Sequence, residues 1–176
     1  MTTKFHQLLQ SQIRNEFSAS QQYVALAVWF DGQDLPQLAK HFYRQSLEER
    51  NHGMMIVQYL LDNDISPAVT GVDEPRNDFA DPVELIALAL QQERTVTDEV
   101  VALAKTARDE DDYTGEQFMQ WFLKEQVEEV ASMTTLLNVV KRAGGNLFDV
   151  ETYLARETVG DTGSDPTAPR VAGGAI

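Results

Sequence analysis

Glu49 and His52 carry the first chemical signal in the chain. They lie three residues apart in Glu48-Glu49-Arg50-Asn51-His52, a spacing that on a helix puts both side chains on one face about one turn apart. A carboxylate and an imidazole so placed can grip one metal ion between them. At alternating steps of three and four, the surrounding segment reads Leu38, Phe42, Gln45, Glu49, His52, Ile56 and Tyr59, the inward seam of a bundle helix. The pair stands where leucine is expected.

Three more segments show the same interruption. Leu9, Ile13, Glu16, Ser20, Tyr23, Ala27 and Phe30 form one seam, and Ile86, Ala89, Glu93, Val96, Val100, Leu103 and Ala107 another. A fourth reads Phe118, Phe122, Gln126, Glu129, Met133, Leu136 and Val140. Each interruption falls within a turn of its segment's midpoint, so in an assembled bundle all of them meet in one layer.

A single glutamate on a bundle seam is more often a side chain reaching for solvent, and a single core histidine is more often hydrogen-bonded than metal-ligating. Four carboxylates in one interior layer are a different case. Each isolated buried charge costs several kcal/mol, like charges repel, and no Lys or Arg occupies the core positions of the layer. Bound cations resolve the conflict. Carboxylates with one imidazole suit iron or manganese better than zinc. Glu49 can bridge two ions, with Glu16 and His52 completing one site and Glu93 and Glu129 the other. Gln126 can either hydrogen-bond a bound oxygen species or ligate weakly. Tyr23 is either an electron donor or hydrogen-bond partner of the site, or an ordinary core aromatic. Glu48, Glu125 and Glu128 border the layer as a third ion site, an exit path or plain solvated acids.

The elements that must position these residues follow from periodicity and punctuation. The pattern predicts helices over about 3–30, 35–63, 82–108 and 114–142, and a short fifth over 147–157. Asp31-Gly32-Gln33-Asp34 is turn chemistry, with Asp34 as expected N-cap before Leu35-Pro36. So short a link makes the first two helices antiparallel neighbours. From Asp64 to Asp81 the pattern breaks at Pro67, Gly71 and Pro75. Roughly 18 extended residues span roughly 60 Å, enough to run back along a helix about 42 Å long and leave helices two and three parallel. Asp81-Pro82-Val83-Glu84 reads as a capped start, Thr114 with Gln117 as a capping box, and Gly144-Gly145 as a stop before Asn146 and Asp149. The expected fold is all-α: a four-helix up-down bundle with one long crossover between helices 2 and 3, plus a short C-terminal fifth helix.

Composition sets the outer limits. A chain of 176 residues that is 43% hydrophobic supports one compact domain, assigned to 1–157, with 158–176 as a flexible tail rich in small residues. The apolar end of that tail, Ala168 to Ile176, is a candidate docking segment for the protein's own assembly or for another protein. The absence of cysteine excludes disulfide scaffolds, thiolate zinc sites and iron–sulfur clusters. The formal charge of -14 disfavours nucleic acid and anionic membranes and favours cations. The first ten residues lack a signal-like apolar run and no segment approaches a membrane span, so a soluble cytoplasmic protein is expected.

With these residues in view, the chain resembles the non-haem bacterial ferritins, particularly the actinobacterial type, over residues 4 to about 157. The matching motifs are Asn15-Glu16-Phe17, Gln22-Tyr23, Glu48-Glu49-Arg50-Asn51-His52, Gln92-Glu93-Arg94-Thr95-Val96-Thr97, and Gln120-Trp121-Phe122-Leu123-Lys124-Glu125-Gln126-Val127-Glu128-Glu129. The resemblance implies a ferroxidase centre with Glu16, Glu49 and His52 around one iron and Glu49, Glu93 and Glu129 around the other, with Gln126 and Tyr23 nearby. It implies a third iron site at Glu48, Glu125, Glu128 and Glu129 facing the interior of a cage of 24 subunits, with the fifth helix at the four-fold axes. Fe(II) and dioxygen or peroxide would be the reactants, and ferric oxyhydroxide mineral the stored product. It also places acidic three-fold pores near Glu116 and Asp109 to Asp112.

Rival assignments fit less well. Bacterioferritins and rubrerythrins usually carry a second Glu-x-x-His on the fourth helix, where this chain has Gln126-Val127-Glu128-Glu129. The haem-ligating methionine of bacterioferritins would follow Glu49, but Arg50 stands there, so no haem is expected. The main alternative is a di-iron oxidoreductase or peroxidase of rubrerythrin type, without storage.

Overall fold

A computed structural model describes residues 3–157 and 165–176. Helices α1 (Lys4–Asp31), α2 (Pro36–Asp62), α3 (Pro82–Asp109), α4 (Tyr113–Ala143) and α5 (Leu147–Glu157) follow in chain order, and the described residues contain no strand. The first four form the bundle, each within two residues of the range that the seam spacing predicts.

The crossover fixes the topology. Ala68 bonds Gln10, Gly71 and Asp73 bond Arg14, Asp73 also bonds Ser18, and Arg76 bonds Gln22. The contacts ascend together, so residues 68–76 run parallel to α1 along its outer side. They deliver α3 to the end of the bundle where α2 began, and α2 and α3 are parallel. The tight turn at 32–35 makes α1 and α2 antiparallel, and α4 runs antiparallel to α3.

The core divides in two. One apolar cluster gathers Tyr23, Leu26, Phe30, Leu38, Phe42, Leu85, Ile86, Met133, Leu136 and Val140 with Val150 and Leu154 of α5. The other gathers Phe5, Leu9, Ile13, Ile56, Leu60, Val96, Val100, Leu103, Met119 and Phe122. Each fully buried Leu, Ile or Phe contributes about 1.5–3 kcal/mol. Between the clusters lies the polar layer, whose several-kcal/mol cost the two clusters can carry.

Three local expectations are corrected. Asp34 does not cap α2: its φ of 58° is left-handed, and the N-cap position is Leu35, with no side-chain bond. Glu151 of α5 serves instead, its carboxylate accepting from the Gln37 and Leu38 amides at 2.8 Å each. A carboxylate at a helix N-terminus satisfies orphan N–H groups and complements the dipole. At α4 the cap is Asp112, which accepts from the Gly115 amide at 2.8 Å, in place of Thr114 with Gln117. The tail also departs from its compositional reading where it is described. Residues 165–176 lie against the bundle, with Ala168 and Val171 packed on the second cluster. The Ala172 amide donates to the Met54 carbonyl at 3.2 Å, and Asn51 bonds both the carbonyl and the amide of Ile176. The segment expected to dock thus seats on its own chain. Residues 158–164 of the expected flexible tail lie outside the described residues.

Candidate metal centre

Glu16, Glu49 and His52 come together because α1 and α2 approach closely at Gly53. A Cβ there would sit 2.9 Å from a Phe17 ring carbon and 3.4 Å from the Glu16 Cβ, so only glycine permits this spacing without displacement. One ligand atom from each of Glu16, Glu49 and His52 lies within 4.8 Å of the other two. Glu49 Oε2 and His52 Nδ1 are 3.6 Å apart. The rings of Trp121 and Phe122 meet His52 edge-on and fix its plane.

Glu93 and Glu129 enter the same layer from α3 and α4. Glu16 and Glu93 are fully buried and Glu49 is 1% exposed, with Gln126 and Glu129 also buried. Tyr23 donates its hydroxyl hydrogen to Glu93 Oε1. Gln126 accepts through Oε1 from the Thr97 hydroxyl at 3.0 Å. Among the described residues, no second set of three His, Asp or Glu groups comes as close as the Glu16 triad; Glu93 is tethered instead to Tyr23.

Burial dominates the electrostatics. It pushes the Glu16 carboxyl well above its usual range, with Glu49 adding to the effect. Glu49 rises for the same reason, with Glu93 and then Glu129 contributing. Glu129 is raised by burial and Glu93. Glu93 is also raised by burial, against the Tyr23 hydrogen bond and the His52 charge. The Tyr23 phenol is pushed up by burial and the facing Glu93 carboxylate, which leaves it a hydroxyl donor.

Glu16 Oε2, both Glu49 oxygens, His52 Nδ1 and Glu93 Oε2 are buried without a hydrogen-bond partner. Among the described residues no Lys or Arg is buried. Unpartnered buried polar atoms are rare in native proteins, and here they converge as oxygen and nitrogen donors. The donor set fits hard to borderline divalent cations such as Fe(II).

The bordering acids divide. Glu48 and Glu125 are half-buried and Glu128 is exposed. All three line a cleft of about 1240 Å³ between α2 and α4, together with Glu129, His52 and residues of the 165–176 segment. Gln45 donates to Glu48. Burial raises the Glu48 and Glu125 carboxyls. Most of the acids from Asp109 to Glu116, which the resemblance places near three-fold pores, are committed to partners within this chain. Arg108 pairs with Glu116, Glu110 accepts from the Lys4 and Phe5 amides, and Asp112 caps α4.

The seams alone left several contributors without a role. Gln12, one turn before Glu16, is buried and donates to Glu16 Oε1 at 2.9 Å and to Glu99 Oε2 at 3.1 Å. Its position four residues before a ligand was the available signal. Thr97 stands in the same relation after Glu93. Trp121 donates its indole N–H to Asp165 at 2.9 Å, a contact across 44 residues that no local pattern announces. The Thr167 hydrogen bonds, followed by that indole, hold the Asp165 carboxyl well below its usual range.

A family model described as a ferritin-like domain matches residues 6–143. The chain is 64% identical over 176 residues to Ferritin BfrB of Mycolicibacterium smegmatis, covering all of this chain and 97% of that protein. It is 35% identical over 136 residues to the bacterial non-heme ferritin of Staphylococcus aureus, covering 77% and 82%. Among solved structures, an open pore ferritin from Archaeoglobus fulgidus superposes with a TM-score of 0.85 at 24% identity, over 89% of this chain and 96% of that one.

Proposed function

The chain belongs to the ferritin family, and on that premise we propose that it stores iron after oxidising it at its own buried centre. Fe(II) is the substrate. One ion is held by Glu16, Glu49 and His52 and a second by Glu49, Glu93 and Glu129, with Glu49 as the bridge. Each ion gives up one electron. With dioxygen, two electrons and two protons make hydrogen peroxide; with hydrogen peroxide they make two waters.

The protein's own contribution is to bring these ligands together in a buried layer, leaving one oxygen each of Glu16 and Glu93 and both of Glu49 without a hydrogen-bond partner. The single observation that carries this reading is the convergence of Glu16 Oε2, both Glu49 oxygens, His52 Nδ1 and Glu93 Oε2, buried and unpaired, with no Lys or Arg buried among the described residues to offset them. Cation binding displaces the protons that burial holds on the glutamates. Tyr23 holds Glu93 in position and Gln126 borders the second ion. Oxidised iron passes along the α2–α4 cleft, where Glu48, Glu125, Glu128 and Glu129 form a third iron site.

The cleft opens to the inside of a hollow homo-oligomer of 24 subunits, with α5 at its four-fold axes. The ferritin-like domain spans 1–157, with 158–176 appended to it. The protein acts in the cytoplasm without haem, nucleic acid or membrane; among the described residues, no helix is long and apolar enough to cross a membrane.

Anaerobic Fe(II) addition followed by oxygen, with ferric absorbance and particle size followed together, tests the assignment. Fast oxidation of about two irons per subunit is expected, followed by further loading inside a large particle. Glu49→Ala should assemble normally and lose the fast phase. An unchanged fast phase in that variant would overturn the centre, and fast oxidation without accumulation would overturn storage.

A further inference from the structure

Gln12 is a buried side chain with each of its hydrogen-bonding groups in use. It lies one turn before Glu16 on α1 and is 3% exposed. Its Nε2 donates to Glu16 Oε1 at 2.9 Å and to Glu99 Oε2 of α3 at 3.1 Å. Its Oε1 accepts from the Asn15 side-chain amide at 3.4 Å. A glutamine amide carries two N–H hydrogens and one acceptor oxygen, so each hydrogen has its own carboxyl group. Turning the amide over would set its oxygen against two carboxyl oxygens and its NH2 against that of Asn15. The network therefore holds the amide one way round.

The consequence falls on Glu16. The last torsion of a glutamate is broad and roughly two-fold, so the carboxyl plane is only loosely set by the chain that carries it. Gln12 holds Oε1. Oε2 has no hydrogen-bond partner, and Glu16 supplies an oxygen to the group with Glu49 and His52 whose ligand atoms lie within 4.8 Å of one another. One oxygen is tied to the protein and the other is left for an ion. Glu99, half-buried, is the far anchor, which accepts the second amide hydrogen and joins α3 to the ligand on α1.

Building on the proposed metal centre, we propose that Gln12, anchored on Glu99, is a positioning residue that sets the Glu16 carboxylate before the ion arrives and keeps Oε2 free for it. Because the ion takes Oε2, the bond to Oε1 is present before and after loading, and its own energy cancels from the affinity. What the bond supplies is order already in place. Without it, binding must itself fix the carboxyl group, which lowers the affinity by about three- to tenfold for one side chain.

Anaerobic Co(II) titration of the assembled protein, read by its visible absorption bands, tests this without any turnover. Glu16→Ala and Glu93→Ala each identify one ion by the step they abolish. Methionine matches glutamine in length and lacks its donors. Gln12→Met should therefore weaken the Glu16 step by about three- to tenfold and leave the Glu93 step as in the parent. Glu99→Ala should weaken the same step by a smaller factor. Glu99→Gln, which keeps an acceptor for the Gln12 amide, should bind like the parent. Gln12→Met combined with Glu99→Ala should match Gln12→Met alone, since Glu99 acts only through the amide. Parental binding by Gln12→Met overturns the proposal. Equal losses at both steps, or losses that add in the double variant, assign Gln12 a merely structural role and overturn it too. If Glu16→Ala abolishes no step, the metal centre falls, and the positioning role with it.

Discussion

Loading the centre should release protons in a number set by its buried carboxylates. Glu16, Glu49, Glu93 and Glu129 all have carboxyls raised chiefly by burial, so in metal-free protein they hold their protons to higher pH than a solvent-exposed glutamate does. Two divalent cations bring four positive charges, which four carboxylates balance. Filling both positions should therefore expel protons, up to about four per subunit where all four carboxyls are still protonated. The overall two-ion binding constant should then rise by up to about 10⁴ for each pH unit gained in that range. The sign follows from linkage. A carboxyl raised in the folded state contributes stability that is fully present below its ordinary value near 4.5 and is lost as pH rises through the folded value. The metal-free protein is thus strained at higher pH, where a cation relieves it most. Calorimetric titration with Zn(II) in two buffers of different ionisation enthalpy counts the protons directly. Glu49→Gln should lower the count by about one. Release of less than about one proton per ion pair near pH 6.5 would refute the reasoning, because it would mean the carboxylates are already ionised in the metal-free protein.

Removing the long-range cap on α2 with Glu151→Ala should destabilise that helix's first turn by about 1–2 kcal/mol, read as faster hydrogen exchange around Gln37 and Leu38 with the far end of α2 unaffected. Asp165→Ala should free the anchor on Trp121 and expose residues 165–176 to proteolysis. Retention of full protection would mean that the Met54 and Asn51 contacts hold the segment alone.

The bundle was legible because its seams are regular: the three-and-four spacing from Leu38 to Tyr59 survives the insertion of Glu49 and His52, and the polar exceptions fall at matching heights. Residues whose role depends on another element were not legible. Asp34 has the right chemistry for a cap, yet the chain enters a left-handed turn there and the N–H groups of α2 find Glu151 across more than 110 residues. Gln12 and Thr97 are ordinary polar residues in isolation; Gln12 takes its meaning from Glu16 one helical turn on, and Thr97 from the Gln126 side chain, which only packing brings near. Composition made the tail look flexible because Gly, Pro and Ala carry no address, whereas docking requires only that Ala168 and Val171 find an apolar seat.

The bond between Glu151 and the start of α2 has a consequence for the order in which the chain is made. Helices α1 and α2 are synthesised early and can pair through their short turn at once. The first amides of α2 then wait for a carboxylate more than 110 residues further along the chain. The helix that carries Glu49 and His52 receives its cap only after residue 151 has been made. A partly made subunit therefore holds two of its ligands on a helix with a loose beginning, and the finished one does not.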